Sequence, residues 1–347
     1  MKILLVQNSK LPVVTYEEAE RVIWWLGKAL VQRGHEVVLL AKKGSVCPFA
    51  KTLFIDDKKP LEAQIPDDID LIHFHCEPKW GNITKPFLIT CYNNHTEPRH
   101  FDPNTVFLSD SHARAHGAKV FVYPGIDWSE YGTPILENKR SYFHFQGNAA
   151  WRVKNVRGAI DIASEAGARL HVIGGSRVNF RQGLRITLSP NVRFHGTLNP
   201  EGRNMLLNNS RGLIYPVVWQ EPFGIAAIES LYFGAPVFGT PYGALNELLG
   251  ASALAERQPS QSKGQVEALY AEFGCLSLKK SELVEAVQHA GAYNRQRCHE
   301  YAHDRFSATR MANDYLKLYE KVLDGKPIHE FEPVLEVGLV ETLPIQS

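Results

Sequence analysis

The segment Trp219-Gln220-Glu221-Pro222-Phe223-Gly224-Ile225-Ala226-Ala227-Ile228-Glu229 carries two carboxylates across a Pro-x-Gly turn and the start of an apolar run. Pro222 and Gly224 keep Glu221 in a loop, and Glu229 falls about one turn into the helix that follows, so both carboxylates can face one pocket. Backbone amides near Gly224 and Ile225, together with the positive end of the helix dipole, form a ready site for a diphosphate or for sugar hydroxyls. The same spacing has a plainer reading, in which both glutamates only favour the first helical turns electrostatically. A second loop, Gly147-Asn148-Ala149-Ala150-Trp151-Arg152-Val153-Lys154-Asn155, is cationic. Arg152 and Lys154 can neutralise a bound anion there, or form a solvated basic loop. His73 and His75 alternate along one run and so share a face, with Cys76 next, but no third metal ligand stands at a suitable spacing.

These groups need elements to hold them. Residues 2–7 read as a buried strand, Ala19, Val22, Ile23, Leu26 and Leu30 follow the helical period up to Gly34, and 36–40 is a second apolar run. Strand, helix, strand is the unit that builds a parallel sheet. Further strands are expected at 70–74, 86–90, 105–108 and 120–123. The pattern breaks at Tyr123-Pro124-Gly125 and restarts after Lys139, with strands at 142–146, 169–173, 192–195, 212–215 and 236–238. Helices are expected at 155–166, from Asn199-Pro200 onward, and at 225–233. From Ser307 a last helix carries an apolar stripe of Met311, Tyr315, Leu318, Tyr319 and Val322. Two α/β domains are therefore expected, with ligands in the loops at the carboxyl ends of strands.

Composition agrees with this organisation. The 347 residues are 44% hydrophobic and 22% charged, and 38 Lys+Arg against 37 Asp+Glu leave a formal +1. That charge gives no whole-chain field to grip a polyanion, so nucleic acid is not an expected partner and any anion must be trapped locally. No apolar run reaches the roughly 18 residues of a membrane span, so at most peripheral membrane contact is expected. Five cysteines without a C-x2-C pair fit reduced thiols and a cytoplasmic chain.

Glu221-Pro222-Phe223-Gly224 with Glu229 resembles the E-x7-E signature of the retaining GT-B-fold glycosyltransferases of family 4. Gly234-Ala235-Pro236-Val237 and the run from Gly243 to Glu247 resemble its continuation. The resemblance extends through Arg33-Gly34-His35-Glu36-Val37, Asp70-Leu71-Ile72-His73-Phe74-His75, Pro124-Gly125-Ile126-Asp127 and Arg305-Phe306-Ser307 with Tyr315 and Tyr319. It implies two Rossmann-like, doubly wound domains facing across a cleft, with the C-terminal helix crossing back onto the first. The divisions would be an acceptor-side domain at 1–130, a nucleotide-sugar domain at 131–306, the returning helix at 307–325 and a peripheral tail at 326–347.

It also implies a metal-independent transfer, with retention, from a UDP- or GDP-sugar to a hydroxyl of a carbohydrate, glycolipid or small molecule, giving an α-linkage. Glu221 would support the reacting sugar, Lys154 and the Gly224 and Ile225 amides the diphosphate, and Glu229 the ribose, with Asn148, Arg152 and Phe223 beside the donor. The family arginine is Asn148 here, and the gap to Lys154 is one residue longer, so either Arg152 substitutes or the site holds one cation fewer. The family's Gly-Gly pair before the first helix is replaced by Glu17 and Glu18. These face the acceptor, or Thr15-x-x-Glu18 is simply a capping box. His75, Tyr92 (where the family often has histidine) and His95 are expected on the acceptor side.

Asp68-Ile69-Asp70 mimics a D-x-D metal-sugar motif but precedes its strand, so no divalent cation and no other cofactor is expected. Gly174-Gly175-Ser176 lacks the spacing of a dinucleotide loop. A weakened nucleotide-sugar-binding protein, an epimerase or a phosphorylase on the same fold are the alternatives.

Overall fold

The computed structural model describes residues 1–12, 18–77, 83–179, 185–250 and 269–346, and the chain divides into two compact units. One comprises Met1–Asp127 with Phe306–Leu339, the other Trp128–Arg305 with Val340–Ser347.

In the first unit β1 (Lys2–Val6), β2 (Glu36–Ala41), β3 (Lys51–Phe54), β4 (Leu71–Phe74), β5 (Phe87–Thr90) and β7 (Thr105–Val106) form a parallel sheet in the order β3-β2-β1-β4-β5-β7. Ile3 pairs with both Val37 and Leu71. The central strands are mostly apolar because helices or loops cover both faces of a parallel sheet. Helix α1 (Glu18–Gln32) buries Val22, Ile23, Leu26 and Leu30, one stripe of the 3.6 period. The C-terminal helix, Ala308–Leu323, packs on α1 within this unit and buries Met311, Tyr315, Tyr319 and Val322. Its N-cap Ser307 accepts from the Arg310 amide, and the Ile126 amide donates to Phe306. A Cβ at Gly125 would stand 2.3 Å from the Ser307 carbonyl oxygen, which is why Pro124-Gly125-Ile126-Asp127 needs its glycine.

Three expectations require correction here. Residues 120–123 make one bridge, Phe121 to Phe107, rather than a strand, since Pro124 has no N–H to continue a ladder. The tail after Lys326 is not peripheral: Ile328 and Leu335 are buried, and β17 (Val334–Leu335) pairs antiparallel with β6 (Arg99–His100). Its apolar residues fill a pocket beside Phe101 and Phe107 that would otherwise be wet. Residues 340–346 belong instead to the second unit, where the Leu343 amide donates to Val218. The division falls after Asp127, before the expected 130, because Trp128 stacks on Tyr232 at 4.1 Å.

The second unit holds β8 (Tyr142–Gln146), β9 (Leu170–Ile173), β12 (Val192–Phe194), β13 (Ser210–Tyr215), β14 (Val237–Gly239), β15 (Leu269–Ala271) and β16 (Gly274–Leu276), ordered β12-β9-β8-β13-β14-β16-β15. All pairs are parallel except β15 with β16. A two-stranded ribbon, β10 (Val178–Asn179) with β11 (Arg185–Ile186), follows β9. Helices α3 (Val156–Glu165) and α4 (Pro200–Asn208) start on side-chain caps, Asn155 to the Gly158 amide and Asn199 to the Gly202 amide. Helix α5 (Ile225–Tyr232) starts at Gly224, whose φ of 97° suits glycine, with no side-chain cap.

Each sheet reverses its strand order once, between β1 and β4 in the first unit and between β8 and β13 in the second. Such a switch point leaves a crevice at the carboxyl ends of the two strands, the place where open α/β sheets bind ligands.

Candidate active site

At the switch point of the second unit, Lys154 and Glu221 meet. Lys154 ends a short 3-10 turn, Arg152–Lys154, after β8, and Glu221 lies in the loop between β13 and α5. The Lys154 Nζ donates to Glu221 Oε1 at 3.1 Å and Oε2 at 2.9 Å. Both side chains are buried, at 7% and 1% exposure. The Tyr215 hydroxyl accepts from Lys154 Nζ and donates to Glu221 Oε2, each at 2.9 Å, and the Trp219 indole N–H donates to the same oxygen. Lys154 Nζ also lies 4.8 Å from the Trp219 ring centroid. A cation held by one carboxylate, a phenol and an indole in a dry site interacts strongly with any charge that develops beside it.

Close backbone approaches bring the two loops to this geometry. The Val218 amide donates to Val153, and Asn155 Nδ2 donates to the Pro216 carbonyl. The Ala244 amide donates to the Glu221 carbonyl, and a Cβ on Gly243 would lie 2.2 Å from that oxygen, so the turn after β14 braces the glutamate's backbone. Gly174 and Gly175 serve packing: Cβ atoms there would stand 2.3 Å from the Gly147 oxygen and 2.4 Å from the Ala149 Cβ.

Around the pair, Phe223 and Ile225 are buried at the start of α5, whereas Asn148 and Arg152 are exposed. Asn148 turns its own loop, accepting from the Ala150 amide at 3.0 Å. Glu229, expected beside the ribose, lies in α5. Its side chain is fully enclosed; Tyr131 donates to Oε1, Gln146 Nε2 donates to Oε2, and Arg203 NH1 lies 3.3 Å from Oε1. The partners have a simple cause: α5 is buried on all sides, so a carboxylate about one turn into it must be neutralised inside the unit. Tyr215, Trp219, Tyr131, Gln146 and Arg203 were missed by sequence reasoning. Tyr215 and Gln146 had a signal, as the last residues of their strands.

At the switch point of the first unit lies a cavity of about 670 Å³, lined among others by Gln7, Glu20, His75, Tyr92, His95 and Arg99. It brings together His75, Tyr92 and His95 from the expected acceptor side. The Tyr92 hydroxyl is 2.7 Å from His75 Nδ1, and Arg99 NH1 is 3.0 Å from His95 Nδ1. Glu18 is half-buried at the first turn of α1 and outside the cavity lining, and Glu17 and Thr15, with the capping box, lie outside the described residues. His73 is no metal ligand here: Tyr319 and Thr90 occupy its two nitrogens, at 2.8 and 2.7 Å. Asp68 and Asp70 sit at the amino end of β4, both bonded to Lys2.

Burial pushes His75 down to a pKa of about 3. Its folded pKa lies below the ordinary 6.5, so the unfolded chain binds the proton first, and stability present above pH 6.5 is lost as pH falls toward 3. About 2 kcal/mol should disappear between pH 7 and pH 5 through this one residue. Urea unfolding at the two pH values should show His75→Phe with the flatter dependence; equal slopes would count against the burial argument.

Comparison with known proteins fits this architecture. Residues 140–272 match the family glycosyl transferases group 1. A 193-residue stretch is 27% identical to the O-antigen chain mannosyltransferase C of Escherichia coli, covering 54% of this chain and 48% of that protein, so the chain spans about half the length of the curated relative it matches. Among solved structures, AviGT4, a glycosyltransferase involved in avilamycin A biosynthesis, superposes with a TM-score of 0.68 at 20% identity over 93% of this chain and 98% of its own. Sucrose-phosphate synthase from Thermosynechococcus elongatus gives 0.65 at 14% over 94% and 100%. Anabaena HepE in complex with UDP and glucose gives 0.61 at 13% over 92% and 99%. Residues 140–272 thus carry the match to glycosyl transferases group 1, and over nearly its full length the chain has the GT-B fold of these structural neighbours.

Proposed function

We propose that the chain transfers a sugar from a nucleotide-sugar donor, such as a UDP- or GDP-sugar, to an acceptor hydroxyl, with retention and hence an α-linkage. The buried Lys154–Glu221 pair at the switch point of the second sheet carries this reading. In the proposed reaction the donor's diphosphate takes Lys154 as counter-charge, together with the first amides of α5 at Gly224 and Ile225. Glu221, released from full pairing, turns its oxygens to the sugar, whose anomeric carbon gains positive charge as the bond to phosphate breaks. Arg152, Asn148 and Phe223 border the donor, and Glu229 acts through Tyr131, Gln146 and Arg203 as a positioning group. A divalent cation has no role in this scheme, since Lys154 and the helix terminus meet the leaving charge. The acceptor contacts His75, Tyr92 and His95 of the first unit. Five cysteines outside any disulfide favour a reducing, cytoplasmic setting for the reaction.

A thermal-shift panel of nucleotide sugars, followed by nucleoside diphosphate release with and without EDTA, tests the scheme. At least one donor should raise the unfolding temperature and turn over undiminished in EDTA, and the product's anomeric proton should report an α-linkage. If no nucleotide sugar stabilises the protein, the scheme fails.

A further inference from the structure

We propose that the cavity of the first unit selects an uncharged or amino-bearing sugar ring as acceptor and discriminates against phosphorylated acceptors; this deepens, and rests on, the glycosyl-transfer reading above. The first observation is His75. It lines the cavity at 2% exposure, and its Nε2 has no hydrogen-bond partner, while Nδ1 faces the Tyr92 hydroxyl at 2.7 Å. A buried ring nitrogen without a partner is costly unless a ligand completes it. Burial holds the imidazole neutral and raises the Tyr92 pKa well above 10, so the phenol keeps its proton. That hydroxyl can donate to Nδ1 or accept from it, so Nε2 can present either an N–H or a lone pair. A sugar hydroxyl, both donor and acceptor, suits such a partner in either tautomer.

The second observation is the charge of the wall. Glu20, Glu77 and Asp102 line the cavity, against Arg99 as the single arginine or lysine among the described lining residues. Arg99 leaves its Nε unpartnered, but NH1 is bound to Glu77 at 2.8 Å and shared with His95, so its charge is already offset. His95, with its pKa lowered to about 4, adds no cation at neutral pH. Glu20 is 9% exposed and, among the described residues, takes one long bond, 3.3 Å, from Gln7 Nε2. Its carboxylate can accept from a ring hydroxyl or an ammonium group, whereas a phosphate dianion would face three carboxylates and one paired guanidinium. The volume, about 670 Å³, lies within the range of small-molecule sites.

Ligand-observed NMR titration of the full chain, saturated with UDP or GDP, with glucose, mannose, glucosamine and the 6-phosphates of glucose and mannose tests the proposal. At least one unphosphorylated sugar should bind, about tenfold or more tighter than its phosphate, and glucosamine should lose about tenfold in Glu20→Gln. Tyr92→Phe, which keeps the packing, should weaken the sugar while leaving the nucleotide-induced thermal shift unchanged. A phosphate that binds as well as its parent sugar, or failure of every unphosphorylated sugar to bind, overturns the proposal. Sugar binding without any nucleotide-sugar stabilisation would sink the glycosyl-transfer reading instead and leave the sugar site standing.

Discussion

Lys154→Met is expected to reduce sugar transfer by about 10²–10³ in kcat, the usual loss when a preorganised charge beside a leaving group is removed. It should also destabilise the fold by about 3–5 kcal/mol, because Glu221 would remain buried with its charge uncompensated. Glu221→Gln should be destabilising for the mirrored reason, leaving the enclosed Lys154 charge with Tyr215, Trp219 and a neutral amide in place of its counter-charge. The double variant Lys154→Met/Glu221→Gln removes both charges together, so stability should return toward the parent while transfer stays lost. Urea denaturation and nucleoside diphosphate release on the three variants separate the two roles. Transfer recovering along with stability in the double variant would mean that the pair only holds the loops together.

Glu229→Ala should destabilise the second unit's core by about 3–5 kcal/mol. It strands the Arg203 guanidinium, 8% exposed, and removes the acceptor for Tyr131 and Gln146. Arg203 also sits 4.6 Å from the Tyr131 ring centroid, so the segment that opens the second unit loses its anchor along with the carboxylate. Glu229→Gln keeps the shape, loses the charge and turns one of the two accepting oxygens into a donor, and Arg203→Met/Glu229→Gln should recover the part of the loss that is due to charge. Thermal unfolding measured beside nucleotide affinity decides between the enclosed role and a ribose contact. Under the enclosed role, Glu229→Gln lowers the unfolding temperature and leaves nucleotide affinity within about twofold at temperatures where it is folded. A tenfold loss of affinity at unchanged stability would show instead that the carboxylate reaches the ribose.

Much of the fold could be read from local pattern. Strands β1 and β2 announce themselves as apolar runs, and β4 as one interrupted by His73, because both faces of a parallel sheet are covered. Asn199-Pro200 marks the start of α4 because the cap and the first helical residue are local chemistry. The strands that escaped notice are short or marginal, and the helices Lys280–Gln288 and Arg295–Arg305 escaped it too. The edge strand β3 is exposed at both ends and only half-buried between them, and β15, β16 and the β6–β17 pair run to two or three residues each. Two residues carry no readable period, and their pairing depends on neighbours distant in the chain.

The candidate site divides along the same line. By itself the sequence determined which loops matter, through Glu221-Pro222-Phe223-Gly224 before a helix and the lysine-bearing loop after β8, since turn formers and helix starts act over a few residues. Only the tertiary structure decided what each charge meets. Lys154 pairs with Glu221 across 67 residues of chain because β8 and β13 are neighbours at the switch point. Glu229 is claimed by Tyr131, 98 residues away, and by Arg203 rather than left open. A carboxylate looks the same in sequence whether its helix is covered or exposed. Burial sets the cost of leaving it unpaired, and burial is a property of the packed units.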